Sequence, residues 1–264
     1  MNGTALITGA SSGIGLSMAR ILAKDGWDLI ISGRNISALE SLRDELISYG
    51  AKVMVIQADL SKDGAAEGIF SEVQASGLQV DFLINCAGFG DLGLFAECDK
   101  DWQADMIRVN DISLTVLTRL FLTGMIERSS GRILNVASIA SFQPGPLMSV
   151  YYATKAYVLS FTEALAVELR GTGVTISALC PGPTDTAFIK TAGASGKNIF
   201  KQSVCASPDD VAAYGLKKAM KGKVIIIPGF LLKCAPFFER MIPRSVVRRI
   251  VFRLQSKSAP SGKA

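Results

Sequence analysis

Thr4-Ala5-Leu6-Ile7-Thr8-Gly9-Ala10-Ser11-Ser12-Gly13-Ile14-Gly15 is the stretch whose reading decides the fold. The apolar run Thr4–Thr8 stops at a glycine, as a buried parallel strand does. Three glycines follow in the spacing GxxxGxG, and an amphipathic stretch continues to about Asp25. A strand, a glycine-rich turn and a helix start make an anion site. Backbone N–H groups point outward there, and the helix dipole favours negative charge. Glycine also lets backbone approach a ligand with no Cβ in the way. Three glycines at one strand–helix junction favour a nucleotide phosphate over an ordinary βα turn.

The same alternation continues outward. Strand patterns fall at Asp28–Ser32, Lys52–Gln57, Phe82–Asn85, Gly131–Val136, Val174–Cys180 and Lys223–Ile227. Helical spacing falls at Ile36–Tyr49, about Gly64–Ser76, about Asp101–Glu127 and about Tyr151–Arg170. The fold class is therefore α/β. It predicts one doubly wound parallel sheet of about seven strands, with helices on both faces and right-handed crossovers. Asn110 lies inside the long predicted helix. A mid-helix asparagine marks either a local distortion with an inward polar role or an exposed position, and the pattern leaves both open.

Composition fits one large α/β domain. The chain has 264 residues, and 49% of them are apolar, enough for a substantial core. Its five cysteines (Cys86, Cys98, Cys180, Cys205, Cys234) form no CxxC, so neither a zinc site nor a disulfide framework is expected. That usage points to a reducing, cytoplasmic setting. The first apolar run reads as a strand and not as a signal peptide. Net charge is +5, but residues 230–264 alone carry +7, leaving −2 for the body. The body is thus no nucleic-acid binder, and only the C-terminal segment has the sign for an anionic surface.

Two further stretches carry chemistry. Ser138–Lys155 reads SIASFQPGPLMSVYYATK and contains Ser138, Tyr151 and Lys155. Tyr151 and Lys155 are one helical turn apart, so they share a helix face. A neighbouring ammonium favours the phenolate, and a tyrosine so lowered suits proton transfer. The chain has no histidine, so acid–base work falls to other side chains. The second stretch is Gly33-Arg34-Asn35, at the end of the second strand. An acid there holds ribose hydroxyls in dinucleotide folds, whereas an arginine accommodates a 2′-phosphate. Gly33 stands where the acid would be and Arg34 follows, which argues NADP(H) over NAD(H).

Thr8–Gly15 (TGASSGIG), Asn85–Gly88 (NCAG), Asn110, Ser138, Tyr151–Lys155 (YYATK) and Pro181–Thr186 (PGPTDT) together resemble the single-domain branch of the short-chain dehydrogenase/reductase superfamily. The resemblance covers roughly residues 3–227 and implies a Rossmann-type domain over residues 1–229. It implies that Tyr151 exchanges the proton with a carbonyl or alcohol oxygen. Lys155 lowers the tyrosine pKa and binds the nicotinamide ribose. Ser138 polarises the carbonyl, and Asn110 holds a water in the proton path. Gly9, Ser11, Gly13, Ile14 and Gly15 line phosphates and ribose. Asp59 and Leu60 flank adenine, and Asn85, Ala87 and Gly88 lie further along the cofactor. Pro181, Gly182 and Thr186 meet the nicotinamide end, and Arg34, with Asn35 or Ser12, reads the 2′-phosphate. The implied activity is an NADP(H)-dependent carbonyl reductase or alcohol dehydrogenase, with no metal. A non-catalytic NADP-binding regulator or scaffold on the same fold is the alternative. Family members form homodimers or homotetramers through the helices at Asp101–Glu127 and Tyr151–Arg170.

The resemblance places a variable substrate lid over Phe188 to about Ser207. Gln143, Met148 and Phe188 are expected at the substrate, with Ser138 and Tyr151. No arginine clusters there, so an apolar ketone, aldehyde or lipid-like substrate is expected. Residues 230–264 form a basic extension in which Val246, Val247, Ile250, Val251 and Leu254 make a helical apolar stripe beside arginines. It is expected to pack on the domain or a partner subunit, with peripheral contact to an anionic membrane as the alternative. Disorder is expected from Ser256 onward.

Overall fold

Seven short apolar runs become seven strands: β1 (Thr4–Thr8), β2 (Asp28–Gly33), β3 (Val53–Gln57), β4 (Phe82–Asn85), β5 (Gly131–Val136), β6 (Val174–Leu179) and β7 (Ile225–Ile226). The computed structural model describes residues 2–184, 206–229, 232–234 and 241–256. Thr186, Phe188 and nearly all of the expected lid lie outside them, as do residues 257–264. The strand order is β3-β2-β1-β4-β5-β6-β7, and every neighbouring pair is parallel. Leu6 pairs with Ile30 on one side and Leu83 on the other. The chain thus reverses direction across the sheet between β1 and β4, the switch point at which open α/β sheets bind ligands.

Side-chain alternation explains the two cores. Leu6, Ile30, Leu83 and Ile133 face one side, whereas Ile7, Ile31, Ile84 and Leu134 face the other. The first side is covered by α3 (Ala65–Ala75), α5 (Ser113–Glu127) and a helix over Ser149–Glu168, with Ile69 and Phe121 buried, and α4 (Lys100–Ile107), with Met106 buried, leads into α5. The second side is covered by α1 (Gly13–Lys24), α2 (Ile36–Ser48) and a helix over Pro208–Ala219, with Met18, Leu39 and Leu216 buried. Each such fully buried aliphatic side chain contributes about 1.5–3 kcal/mol of transfer free energy.

Between α4 and α5, Arg108–Ile112 forms a π turn. Asn110 sits at its centre, 1% exposed, so of the two readings the inward distortion holds. The continuous run Lys100–Glu127 is long and apolar enough to cross a membrane, with mean hydropathy 1.2. Its buried residues Leu117 and Met125 pack in the core on the sheet, so it is a core helix. Next come α6 (Ser149–Glu168), α7 (Pro208–Ala219) and α8 (Arg244–Ser256). The sequence reading did not single out α7, although its signals are present. Ser207 caps it by accepting from Asp209 N at 3.2 Å, Pro208 starts it, Asp209 and Asp210 fill its first turn, and Lys217 and Lys218 its last. β7 is shorter than Lys223–Ile227, as suits an edge strand. α8 buries Val247 and Val251, and Ser256 closes it.

Candidate active site

The C-terminal strand ends open into one cavity of about 440 Å³. At one end lies the turn from β1 into α1. Gly9 has φ +68°, and a Cβ on it would fall 2.8 Å from Ala87 Cα. Gly13 also has positive φ, at +55°. Ser12 precedes α1 in extended conformation without a side-chain cap, and the first turn holds no acid. The helix start therefore presents its N–H groups and dipole to an external anion. Gly9, Ser11, Ser12, Gly13 and Ile14 all line the cavity. Gly15 does not: its Cβ would fall 2.4 Å from Gly9 O, so this glycine serves the close seating of α1 on the turn.

Arg34, Asn35, Asp59 and Leu60 line the same end. Arg34 is exposed and takes part in none of the four ion pairs among the described residues. Its carbonyl accepts from Gln57 Nε2 at 3.1 Å, and the Asn35 side chain caps α2 by accepting from Ala38 N at 3.1 Å. Ser32 Oγ is buried with no hydrogen-bond partner beside them. Burial opposes ionisation of Asp59, yet its hydrogen bonds with Ser61 and the Arg34 charge hold the carboxyl below its usual range. An exposed arginine and an orphaned hydroxyl thus lie at the end of β2, where the strand carries no acid.

Ser138 lies two residues beyond β5. Its Oγ accepts from Ala140 N at 3.1 Å and starts a 3₁₀ turn, Ile139–Phe142, closed by a reciprocal bond from Ser138 N to Ser141 Oγ at 3.3 Å. Ser141 Oγ donates to the Lys155 carbonyl at 2.6 Å, tying this turn to α6. The Ser138 side chain is hydrogen-bonded to Tyr151. Lys155 is 5% exposed; its Nζ donates to Val136 O at 2.9 Å and sits 5.9 Å from the Tyr151 ring centroid. Gly88 faces this group closely, because a Cβ there would lie 3.3 Å from Lys155 Nζ. Ser138, Tyr151 and Lys155 thus meet in the cavity, alongside Ala87, Gly88, Pro181 and Gly182.

The electrostatics differ from the sequence expectation. Burial pushes the Tyr151 hydroxyl up to about 12, while its hydrogen bond with Ser138 pulls the other way. The expected depression by Lys155 is not found in this state. The ammonium is aimed at the Val136 carbonyl, and burial lowers its own pKa, with Asp111, Cys86 and Cys180 opposing. Burial likewise pushes the Cys86 and Cys180 thiols up to about 12, which leaves them protonated and poor nucleophiles.

Three expected residues have other placements. Asn85 is 3% exposed and turns into the sheet, where its Nδ2 donates to Thr118 Oγ1 at 3.1 Å and Asn135 Oδ1 at 2.9 Å. It does not line the cavity, and Cys86 takes that place. Gln143 also stays off the lining, whereas Met148 is on it. Asn110 braces. It exchanges hydrogen bonds with Phe89 N (3.1 Å) and O (3.0 Å) and donates to Thr154 Oγ1 at 3.0 Å. Both Nδ2 protons are taken up in these bonds.

Tyr152 and Gln255 were missed as lining residues. Leu92, Leu147 and Met148 form a small apolar cluster beside them. Leu147 has φ +69°, a left-handed conformation that leucine rarely adopts, and Gly93 N donates to its carbonyl at 2.9 Å. Backbone strain of this kind concentrates at functional sites.

Comparison with known proteins accords with this geometry. Residues 3–196 match the family described as short chain dehydrogenase. The short chain dehydrogenase MYCFIDRAFT_6125 of Pseudocercospora fijiensis is 37% identical over 69% of the chain, a match that spans only 60% of that relative. The NADP-dependent 3-hydroxy acid dehydrogenase YdfG of Escherichia coli is 33% identical over 78% of the chain and 85% of its own length. Among solved structures, a Sphingobium yanoikuyae short-chain dehydrogenase in complex with NADPH superposes with TM-score 0.81 at 27% identity, covering 95% of both chains. A 7β-hydroxysteroid dehydrogenase gives TM-score 0.85 at 25% identity over 95% of this chain and 96% of the other. A Burkholderia phymatum short-chain dehydrogenase/reductase in complex with NAD gives 0.82 at 25% identity over 93% and 95%. The chain belongs to the short-chain dehydrogenase/reductase family: it is an oxidoreductase of that class on a nucleotide-binding, Rossmann-type fold.

Proposed function

We propose that this protein is an NADP(H)-dependent oxidoreductase that interconverts an apolar carbonyl compound and its secondary alcohol. The observation that carries this reading is the joining of Ser138, Tyr151 and Lys155 in one cavity with the α1 anion cradle. The bound nicotinamide would supply or accept the hydride. Tyr151 gives its proton to the carbonyl oxygen during reduction and recovers one from the alcohol during oxidation. Ser138 donates a hydrogen bond to the same oxygen, where negative charge develops. Lys155 holds its ammonium near the phenol and the ribose, and the Asn110 π turn fixes α6 relative to the Gly88 loop.

Arg34 and the missing acid support preference for the 2′-phosphate. The NADPH-bound relative accords with this, although another similar structure carries NAD. Phe89, Leu92, Ile139 and Met148 give the far end of the cavity an apolar wall, which supports a hydrophobic ketone, aldehyde or lipid-like substrate. The intact Ser138–Tyr151–Lys155 set disfavours the regulator or scaffold alternative. Turnover of NADPH against ketones, aldehydes and acyl thioesters, compared with NADH, tests the reading.

Exposure of Ile112 at the end of the π turn, of Ile126 on α5, and of Tyr157 and Val167 on α6 supports assembly through this face as a homodimer or homotetramer. On α8, Val246, Ile250 and Leu254 are exposed next to Arg249 and Arg253, which leaves peripheral contact with an anionic membrane as a secondary proposal. Cys180 is buried and Cys86 half-buried at the cavity, and neither is in a disulfide, which supports a cytoplasmic setting.

A further inference from the structure

Tyr152 follows Tyr151 in sequence, yet its hydroxyl reaches away to α8. Gln255 Nε2 donates to Tyr152 Oη at 2.8 Å across 103 residues of chain. Both residues line the cavity. The Tyr152 ring lies flat against the loop between Ser138 and Tyr151, because a Cβ on Gly145 would fall 2.2 Å from its ring carbons. Only glycine leaves room for the ring there, so the ring and the loop are fixed together. On its other side the ring meets Tyr151 edge-on at 6.1 Å between centroids. The segment after β7 touches the site at a second point. Leu232 covers Gly182 so closely that a Cβ on Gly182 would fall 2.6 Å from its Cδ1. Among the described residues, α8 buries two side chains, Val247 and Val251, and the bond from Gln255 adds a polar contact at its last turn.

We propose that Tyr152 and Gln255 form a clasp that holds α8 across the mouth of the cavity, and that this helix sets the size of carbonyl substrate admitted. The size-setting half rests on the reading of the cavity as the substrate site; the clasp does not. With the clasp closed, the Tyr152 ring and the Gln255 amide stand side by side on the cavity wall, and the ring is fixed against Gly145. Opening the clasp lets α8 shift and the mouth widen, while Ser138 and Lys155 keep their own anchors in the 3₁₀ turn and β5.

The test is a double-mutant cycle in the full-length protein with Tyr152→Phe, Gln255→Leu and the pair. The first reading is the rate of tryptic cleavage after Arg248, Arg249 and Arg253, which follows the opening of α8 and needs no turnover. Each single variant is expected to raise that rate about fivefold, the effect of one lost hydrogen bond. The pair is expected to add nothing beyond the larger single effect, as partners in one contact do. The second reading is the ratio of kcat/KM for 2-undecanone over 2-butanone with NADPH, expected to rise in all three variants. Unchanged cleavage, or cleavage effects that multiply in the pair, would overturn the clasp. Faster cleavage with an unchanged ratio would overturn the size-setting role. Wild-type protein that turned over neither ketone, nor any other carbonyl, would overturn the functional reading and the size-setting role with it, while the cleavage rates would still decide the clasp.

Discussion

Lys155 Nζ donates to the carbonyl of Val136 at 2.9 Å, which anchors the ammonium to the strand end that leads into Ser138. One strand end thus positions both Ser138 and the Lys155 ammonium. Replacing Lys155 with methionine leaves the Val136 carbonyl without this donor and removes the charge. We predict a fall in kcat/KM of about 10²–10⁴, the usual contribution of positioned acid–base groups. Lys155→Arg should not rescue it, because Gly88 crowds the ammonium and a planar guanidinium is larger. Steady-state kinetics of the two variants check this.

Gly9→Ala should abolish tight nucleotide binding. The new Cβ would meet Ala87 Cα at 2.8 Å, and the backbone at φ +68° is unfavourable for alanine. We expect NADPH affinity to fall more than tenfold, measured by fluorescence titration, together with a lowered Tm.

Asn110→Leu should cost stability as well as activity. The side chain makes three buried hydrogen bonds, to Phe89 N, Phe89 O and Thr154 Oγ1. At about 0.5–1.5 kcal/mol each, their loss amounts to roughly 2–4 kcal/mol. Urea denaturation measures it. Retention of wild-type stability would argue against the bracing role.

Asp111 gives a pH signature. It lies in the π turn, its Oδ1 is buried without a partner, and burial pushes its carboxyl up to about 7, against the opposing Lys155 charge. The folded protein therefore holds this proton more tightly than the unfolded chain does. Stability from this group is fully present below the ordinary carboxylate pKa of about 4 and is lost as pH rises through about 7. Asp111→Asn should be more stable than wild type at pH 8, and the difference should vanish near pH 4. Thermal melts across that range provide the check.

The central strands are legible in the sequence to the residue: β1, β4 and β5 fall at the expected bounds. Buried parallel strands are short apolar runs stopped by glycine or polar turns, and nothing else in this chain reads so. The nearness of Tyr151 and Lys155 is equally legible, because a fixed helical spacing separates them. The facing of Asn85 is not. It stands at the last position of β4, and only the buried partners Thr118 and Asn135, from distant segments, draw its side chain into the sheet. The rise of the Tyr151 pKa by burial is not legible for a related reason. Helical spacing brings Lys155 near, but the aim of its ammonium at Val136 and the cost of burial are tertiary facts. Gln255 escaped notice because its partner lies on α6, and no local pattern links a tail glutamine to a tyrosine so far along the chain.

The account stands on Tyr151 as the proton donor, and Tyr151→Phe is the most direct test. This change keeps the ring and removes only the hydroxyl that Ser138 engages. With NADPH and a ketone that wild type reduces, we predict that kcat falls by about 10²–10⁴ while the protein still folds and binds nucleotide. Undiminished turnover by Tyr151→Phe would contradict the mechanism outright.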